Sequence, residues 1–171
     1  LVADMRAGQV DALVIIGGNP VYDTPNDLDF ANALESVPFR VHMGTTENET
    51  AELCHWHIPE SHYLEAWSDV RAHTGLVTIV QPLIEPLYKT HSALDLLAVM
   101  AGKSGTPALE LVRQYWESQR LDANFSTFWR RALHDGYAKG TELASKKISV
   151  NAPLQVPNDF AQLPDEEDVE L

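Results

Sequence analysis

The sequence predicts an α/β protein with a mostly parallel sheet, and three observations lead to that prediction. An apolar, β-branched run at residues 12–16 has the composition of a strand buried on both faces of a parallel sheet. A second short strand is expected at residues 39–43, and a helical pattern between the two strands completes a βαβ unit. Beyond residue 86 the pattern becomes helical, so a helical segment is expected to follow the sheet.

The first predicted strand ends in a run that can turn sharply, formed by Gly17, Gly18, Asn19 and Pro20. Glycines let the backbone turn and approach a ligand closely. In open α/β sheets, ligands bind at the carboxyl ends of the strands. By itself the run is compatible with either a tight turn or a ligand-facing loop.

The next elements follow from caps and apolar spacing. Asn26 is the expected N-cap of a helix that buries Phe30, Ala33 and Leu34 on one face. After the second strand, which Gly44 closes, further elements are expected in chain order. They are a short helix capped by Thr46 or Asn48, a third strand at residues 54–58 that Pro59 stops, an irregular stretch at 63–74 and a strand at 76–80.

Three helices are predicted in the second half of the chain. Ser92 with Asp95 fits a capping box, and Gly102 ends that helix. The other two helices begin at Thr106-Pro107, with Leu109, Val112, Tyr115 and Trp116 on one face, and near Phe125, with Gly136 as the stop. Residues 1–145 are therefore assigned to one domain. Residues 146–171 are assigned to an extension with a possible short strand at Ile148 and Val150 and a solvated acidic tail.

Composition excludes several classes of function. The 171 residues carry 25 acidic against 12 basic side chains, a net charge of −13, so nucleic acid is not an expected partner. The single cysteine excludes an internal disulfide framework and a cysteine-ligated iron–sulfur cluster within the sequence. No apolar run approaches the roughly 18 residues of a membrane span, so direct membrane insertion is not expected. The chain does not start with Met, and a piece of a longer protein is expected.

Residues 45–82 concentrate chemically versatile side chains in a stretch with no regular period. They include four of the seven histidines, two of the four tryptophans and the only cysteine. Long loops in compact domains are usually functional or disordered, and this one is too apolar for disorder. We therefore expect an ordered surface for a ligand or a partner, with Trp56, Tyr63 and Trp67 as interface anchors.

Three groups in this stretch could carry chemistry. His55 and His57 lie two apart on a predicted strand, so both imidazoles would share one side and could begin a metal site with Cys54, His62 or a nearby Glu. The pattern favours the simpler explanation, in which the two histidines hydrogen-bond to loop backbone or face a partner subunit. The acidic residues near Glu49 fit a helix start better than acid–base catalysis. Cys54 has no cation beside it in sequence and is read as a buried, inert thiol.

The order of these motifs resembles the third domain of the molybdopterin oxidoreductases of the dimethyl-sulfoxide-reductase superfamily. The resemblance spans about residues 10–140. It rests on the Gly-Gly-Asn-Pro strand end, Glu49-Thr50-Ala51, the strand ending Ile58-Pro59, Glu65, and Gly75 leading to Gln81-Pro82. Within the superfamily, three further runs most resemble the large iron–sulfur subunit of alternative complex III, a bacterial quinol:cytochrome c oxidoreductase. They are residues 54–60, residues 79–88 and residues 132–136.

The resemblance implies a Rossmann-like, three-layer domain in which the loop of Gly17, Gly18, Asn19 and Pro20, with Glu49 and Thr50 close by, faces a molybdopterin guanine dinucleotide. The sequence departs from the family at two points, since residues 54–57 replace the usual Ala-Asp pair and residues 73–77 replace the usual Glu-Gly-Arg. The most similar branch is understood to carry no molybdenum cofactor there and to hold its iron–sulfur clusters in a separate part of the protein.

The sequence therefore favours a cofactor-free scaffold domain of a respiratory electron-transfer subunit, with neighbouring parts of the chain and other subunits as partners. The resemblance implies a membrane-associated complex, with this subunit on the extracytoplasmic, periplasmic side. Two alternatives stay open at this point. One is a domain of an active molybdenum oxidoreductase that binds the dinucleotide, and the other is a small metal-binding module built on His55 and His57.

Overall fold

A three-stranded parallel sheet forms the first half of the molecule, and it confirms the α/β class. The computed structural model describes residues 1–119 and 121–149. The strands are β1 (Ala12–Ile16), β2 (Phe39–Gly44) and β3 (Trp56–Pro59), in the order β1-β2-β3. Ala12 pairs with Phe39 and Val41 pairs with Trp56, so all three carboxyl ends lie along one edge.

The second sheet is an antiparallel pair, β4 (Ser68–Arg71) with β5 (Val77–Val80). The expectation of one mostly parallel sheet is wrong for these residues. The irregular stretch predicted at 63–74 contains β4, which has only four residues and a single apolar side chain, Val70. Gly75, at φ 86°, takes the left-handed conformation that the connecting turn requires.

Seven α-helices accompany the strands in the described residues. Asn26–Leu28 add one turn of 3-10 helix. The helices are α1 (Val2–Arg6), α2 (Pro20–Asp23), α3 (Phe30–Glu35), α4 (Glu49–Glu52), α5 (Ala93–Met100), α6 (Ala108–Ser118) and α7 (Phe125–Asp135).

The burial of the parallel sheet differs from the prediction. β1 is an edge strand whose middle residues are only half-buried, and the Ile16 side chain is 37% exposed. The central strand is β2, where Val41, His42 and Met43 are buried. The apolar run therefore identified a strand correctly and its burial on both faces incorrectly.

The first hydrophobic core lies between the parallel sheet and the helices α1 and α3. The predicted stripe of Phe30, Ala33 and Leu34 is buried there, together with Met5 and Val37. Asn26 does not cap this helix, contrary to the prediction. Instead Asp29, at φ 45°, holds the N-cap position, and the chain before it forms the short 3-10 turn.

A second core joins β5 to the helices α6 and α7. Its buried members are Val77, Ile79, Val112, Trp116, Phe128, Trp129, Ala132 and Ala138. The predicted capping box of Ser92 and Asp95 is present, and Gly136 ends α7 in the left-handed conformation. Leu109 and Tyr115, expected on the buried face of α6, are 37% and 49% exposed.

Only the first residues of the predicted C-terminal extension, 146–149, belong to the described part of the chain. Ile148 lies outside any strand and is 91% exposed, so the short strand expected there does not form at that residue. Val150 and the acidic tail lie outside the described residues. Within the described part of the chain, no helix combines the length and the apolar character needed to cross a membrane.

Candidate functional site

The loop after β1 presents its backbone to open space. Gly17 and Gly18 have φ values of 68° and 74°, which side chains rarely adopt. No atom lies within 4 Å of where a Cβ would stand on either glycine. The Gly17 N–H donates to the Met43 carbonyl at 2.7 Å and ties the loop to the end of β2.

Asn19 joins this loop to the start of α4. Its Nδ2 donates to Glu49 Oε2 at 2.6 Å, and its Oδ1 accepts from the Thr50 hydroxyl at 2.7 Å and from the Thr50 N–H at 3.3 Å. The Thr50 hydroxyl in turn accepts from the Val21 N–H at 3.0 Å. The residues that the sequence assigned to one site, from the glycine loop to Glu49 and Thr50, are thus together in space.

Acidic groups flank the loop. Glu49 is exposed, and hydrogen bonds from its own backbone N–H and from Asn19 lower the pKa of its carboxyl. Asp23 Oδ2 accepts from the Asn19 N–H at 3.3 Å. The charged side chains bonded to Asn19 are therefore both carboxylates.

Asn48, one of the two predicted caps, is the N-cap of α4. Its Oδ1 accepts from the Ala51 N–H at 3.0 Å, which satisfies a donor at the start of the helix. Its Nδ2 donates to the Gly18 carbonyl at 3.3 Å. The helix cap is therefore also a support for the glycine loop.

His42 and His57 are in contact at this edge of the sheet, a contact that the sequence did not predict. They are register partners in β2 and β3, and their Nδ1 atoms are 3.0 Å apart. His42 is fully buried, and its Nε2 lies 3.2 Å from the Gly18 carbonyl. The signal was present in the sequence, because both histidines fall in predicted strands, but the strand register was needed to bring them together.

His55 lies apart from this pair. Its Nδ1 accepts from the Arg40 N–H at 3.1 Å, and its ring stacks on Phe39 with a centroid distance of 6.2 Å. The described residues contain no group of three or more His, Cys, Asp or Glu side chains that could hold a metal ion. Burial raises the pKa of the neighbouring Cys54 thiol, while the positive charge of Arg40 opposes that shift.

The predicted interface aromatics occupy two kinds of environment. Trp56, on β3, is 64% exposed, and Tyr63 is 66% exposed. Trp67 instead is half-buried and stacks on Trp129 of the second core, with ring centroids 6.4 Å apart. Trp56 and Tyr63 are therefore free to meet a partner, whereas much of Trp67 is used within the chain.

A cavity of about 300 Å³ opens beside the carboxyl ends of β2 and β3. Thr45 and Glu60, the residues that follow those two strands, are part of its wall. The remaining wall residues are His62, Glu65, Ile84, Leu87, Tyr88 and Thr90. Glu65 holds the shape of this wall, since its two carboxylate oxygens accept from the His62 and Leu87 N–H groups at 3.0 Å each.

Comparison with known proteins agrees with the resemblance seen in the motifs. No protein-family model matches the chain. The chain is 33% identical over 108 residues to the menaquinone reductase, molybdopterin-binding-like subunit of Nitratidesulfovibrio vulgaris (strain Hildenborough); the match covers 61% of this chain and 16% of that protein.

A solved structure shares the fold. The acetylene hydratase from Pelobacter acetylenicus matches with a TM-score of 0.55 and 19% identity, over 66% of this chain and 17% of that one. The matched part of the chain thus spans only about a sixth of either protein. The sequence match supports a molybdopterin-oxidoreductase-like segment. The match to the solved structure supports the fold.

Proposed function

We propose that the chain is a Rossmann-like, three-layer scaffold domain of a respiratory electron-transfer subunit and that it binds no cofactor itself. In this proposal it belongs to a quinol-oxidising, membrane-associated complex and lies on its periplasmic side, with iron–sulfur clusters held elsewhere in the subunit. The similar subunit of a menaquinone reductase supports membership in a multi-subunit complex that acts on a quinone, while the quinol-oxidising direction and the periplasmic side rest on the resemblance alone.

The observation that carries the cofactor-free part of the proposal is the bonding of Asn19. Both ends of its amide are engaged within the chain, by Glu49 and by Thr50, and its backbone N–H is engaged by Asp23. A molybdopterin guanine dinucleotide carries a pyrophosphate, which two adjacent carboxylates would repel. The side chains around the loop therefore do not fit that group, although the backbone of the loop leaves room for it.

The open space beside Gly17 and Gly18 favours one alternative, a domain that binds the dinucleotide in an active oxidoreductase. Glycines at a strand end permit the close backbone approach that a dinucleotide needs. In that case positive groups from other parts of a longer protein would have to offset the charges of Asp23 and Glu49. The two proposals make opposite predictions about the molybdenum, tungsten and pterin content of the whole protein.

Cofactor analysis of the whole protein, purified from its native host, separates the two. Molybdenum and tungsten are counted by mass spectrometry, and pterin is counted as its fluorescent oxidation product. The scaffold proposal expects far less than one molybdenum or tungsten atom per protein, and far less than one pterin. One molybdenum or tungsten and two pterins per protein, lost together in a variant with Gly18→Val, would establish the alternative instead.

The contact surface of the scaffold is proposed to include Trp56 and Tyr63. Exposed aromatic side chains are frequent anchors of protein interfaces, where one such residue commonly contributes about 2 kcal/mol. Each substitution to Ala should therefore weaken binding of the neighbouring subunits by roughly thirtyfold. Tyr115→Ala, at an exposed position on α6, is the matched control. Unchanged recovery of the other subunits with both variants would remove Trp56 and Tyr63 from the interface.

A further inference from the structure

We infer that His42 and His57 form a hydrogen-bonded pair of fixed polarity that positions the Gly17–Gly18 loop. The pair sits side by side on the central strand and the edge strand, and it reaches the loop through the Gly18 carbonyl. It thereby links a half-buried histidine on β3 to the loop that follows β1. These bonds lie within the chain and do not depend on whether the loop meets a cofactor.

The ring geometry identifies a hydrogen bond rather than two ligands of a shared metal. The ring centroids are 5.2 Å apart, and the two Nδ1 atoms are 3.0 Å apart. The difference equals about two ring radii, one for each ring. Both nitrogens therefore lie close to the line between the ring centres, and each lone-pair axis points at the other ring. With the ring planes only 18° apart, this is the alignment of an N–H donor facing an acceptor. Two metal ligands would instead converge on a third point.

The partners on each side determine which nitrogen carries the proton. The Gly18 carbonyl can only accept, so His42 Nε2 must be the donor of their 3.2 Å contact. His42 is fully buried and neither of its nitrogens meets a carboxylate, so the neutral ring is favoured there. A neutral ring that donates from Nε2 accepts at Nδ1. His57 Nδ1 must therefore donate, so the bonds run in one direction, from His57 to His42 and from His42 to the Gly18 carbonyl.

Gly44 supplies the space for this arrangement. A Cβ at that residue would lie 2.7 Å from His42 Cε1, although the Gly44 backbone itself needs no left-handed conformation. The His42 ring is thus held by Gly44, His57 and the Gly18 carbonyl together. As long as His57 carries its proton on Nδ1, a proton on His42 Nδ1 would place two N–H groups face to face.

The surroundings of the pair contain both signs of charge. β1 contributes the apolar Ile15 as the register partner of His42. The titratable or charged groups on the neighbouring elements are Arg40 on β2, His55 before β3, Asp23 on α2, Glu49 and Glu52 on α4, and Cys54 after α4. The two carboxylates bonded to Asn19 stand on the side of the loop.

Nitrogen-15 NMR of the whole chain tests the polarity directly, because long-range correlations distinguish protonated from unprotonated ring nitrogens. At neutral pH we expect a proton on Nε2 of His42 and on Nδ1 of His57. A proton on His42 Nδ1 at neutral pH, or a His57 Nδ1 without a proton, would overturn the inference.

Substitutions of His57 test the positioning of the loop. The amide nitrogen of Asn can replace Nδ1 as a donor, whereas Leu cannot donate. In His57→Leu, exchange of the Gly17 N–H should accelerate by about tenfold or more, and in His57→Asn it should stay within about twofold of the parent. His134→Asn, at an exposed histidine on α7, is the control. Equal exchange in the Leu and Asn variants would contradict a positioning role, and the NMR result on the parent chain stands even if a variant fails to fold.

Discussion

Asn19 and Glu49 are thirty positions apart in sequence, and the Asn19 amide donates to the Glu49 carboxylate at 2.6 Å. One residue belongs to the loop after β1 and the other begins α4, so the bond closes the loop onto the helix. Thr50 adds two further bonds to the same asparagine. The shape of the loop is therefore set by side chains from a distant part of the chain.

Thr50→Val should destabilise the protein by about 1–3 kcal/mol. The substitution keeps the side-chain volume but removes the hydroxyl that bonds Asn19 and the Val21 N–H, so these polar groups lose a partner in a buried place. Urea unfolding measures the change. Thr78→Val, at an exposed position of β5, should change stability by less than about 0.5 kcal/mol. Equal losses in both variants would contradict the network around Asn19.

Glu49→Gln should flatten the loss of stability in acid. The pKa of Glu49 is lowered in the folded chain, so its carboxylate stabilises the fold at pH values above the ordinary pKa of about 4.3. That contribution disappears as the pH falls through the folded pKa. Urea midpoints at pH 7 and pH 3 should therefore differ less in the variant than in the parent. Glu52→Gln, on the same helix, is the control. If its urea midpoints at pH 7 and pH 3 differ as little as those of Glu49→Gln, the acid dependence does not come from Glu49.

Gly44→Ala should cost about 1–3 kcal/mol, because the added methyl group meets the His42 ring. The cost should shrink when His42 is also replaced by Ala, since the ring that clashes is then absent. A double-mutant cycle in urea measures the coupling between the two positions. Additive losses would mean that the glycine is required for a reason other than the histidine.

Trp56→Ala and Trp129→Ala should differ sharply in stability. Trp129 is 8% exposed in the second core, and its truncation should cost about 3–5 kcal/mol. Trp56 is 64% exposed, so its truncation should cost less than about 1 kcal/mol. Urea unfolding followed by circular dichroism measures both. A large loss with Trp56→Ala would show that this side chain supports the fold rather than a contact surface.

Local patterns in the sequence were enough to locate much of the fold. The strands β1, β2, β3 and β5 were predicted from apolar runs and their stops, and the capping box at Ser92 was read directly from spacing. Such signals lie within a few residues of one another. The burial of β1 was overestimated because an apolar run does not reveal whether a strand is central or at an edge.

The parts that were missed depend on distant contacts. β4 carries Asp69 and Arg71, and it becomes a strand through pairing with β5. Asp69 also accepts from the indole N–H of Trp116 at 2.7 Å, a bond across 47 positions that no local pattern announces. His42 was likewise placed in a strand, while its partner followed from the register between β2 and β3.

The residues of the candidate site could be predicted from the sequence only in part, for the same reason. The resemblance to molybdopterin oxidoreductases brought the glycine loop together with Glu49 and Thr50, and the structure places them in contact. The proposed metal ligands His55 and His57 do not converge, because His55 is bonded to Arg40 and His57 to His42. Alternation along a strand predicted that both histidines lie on the same side of the sheet, but it could not predict which groups they contact.

Among the residues that the structure describes, the two hydrophobic cores have no buried residue in common. Heating should therefore melt the molecule in two overlapping steps, one for each core, rather than in a single cooperative transition. The enthalpy measured by calorimetry would then exceed the van't Hoff enthalpy obtained from the steepness of the melt. A single melting temperature would describe neither half of this chain.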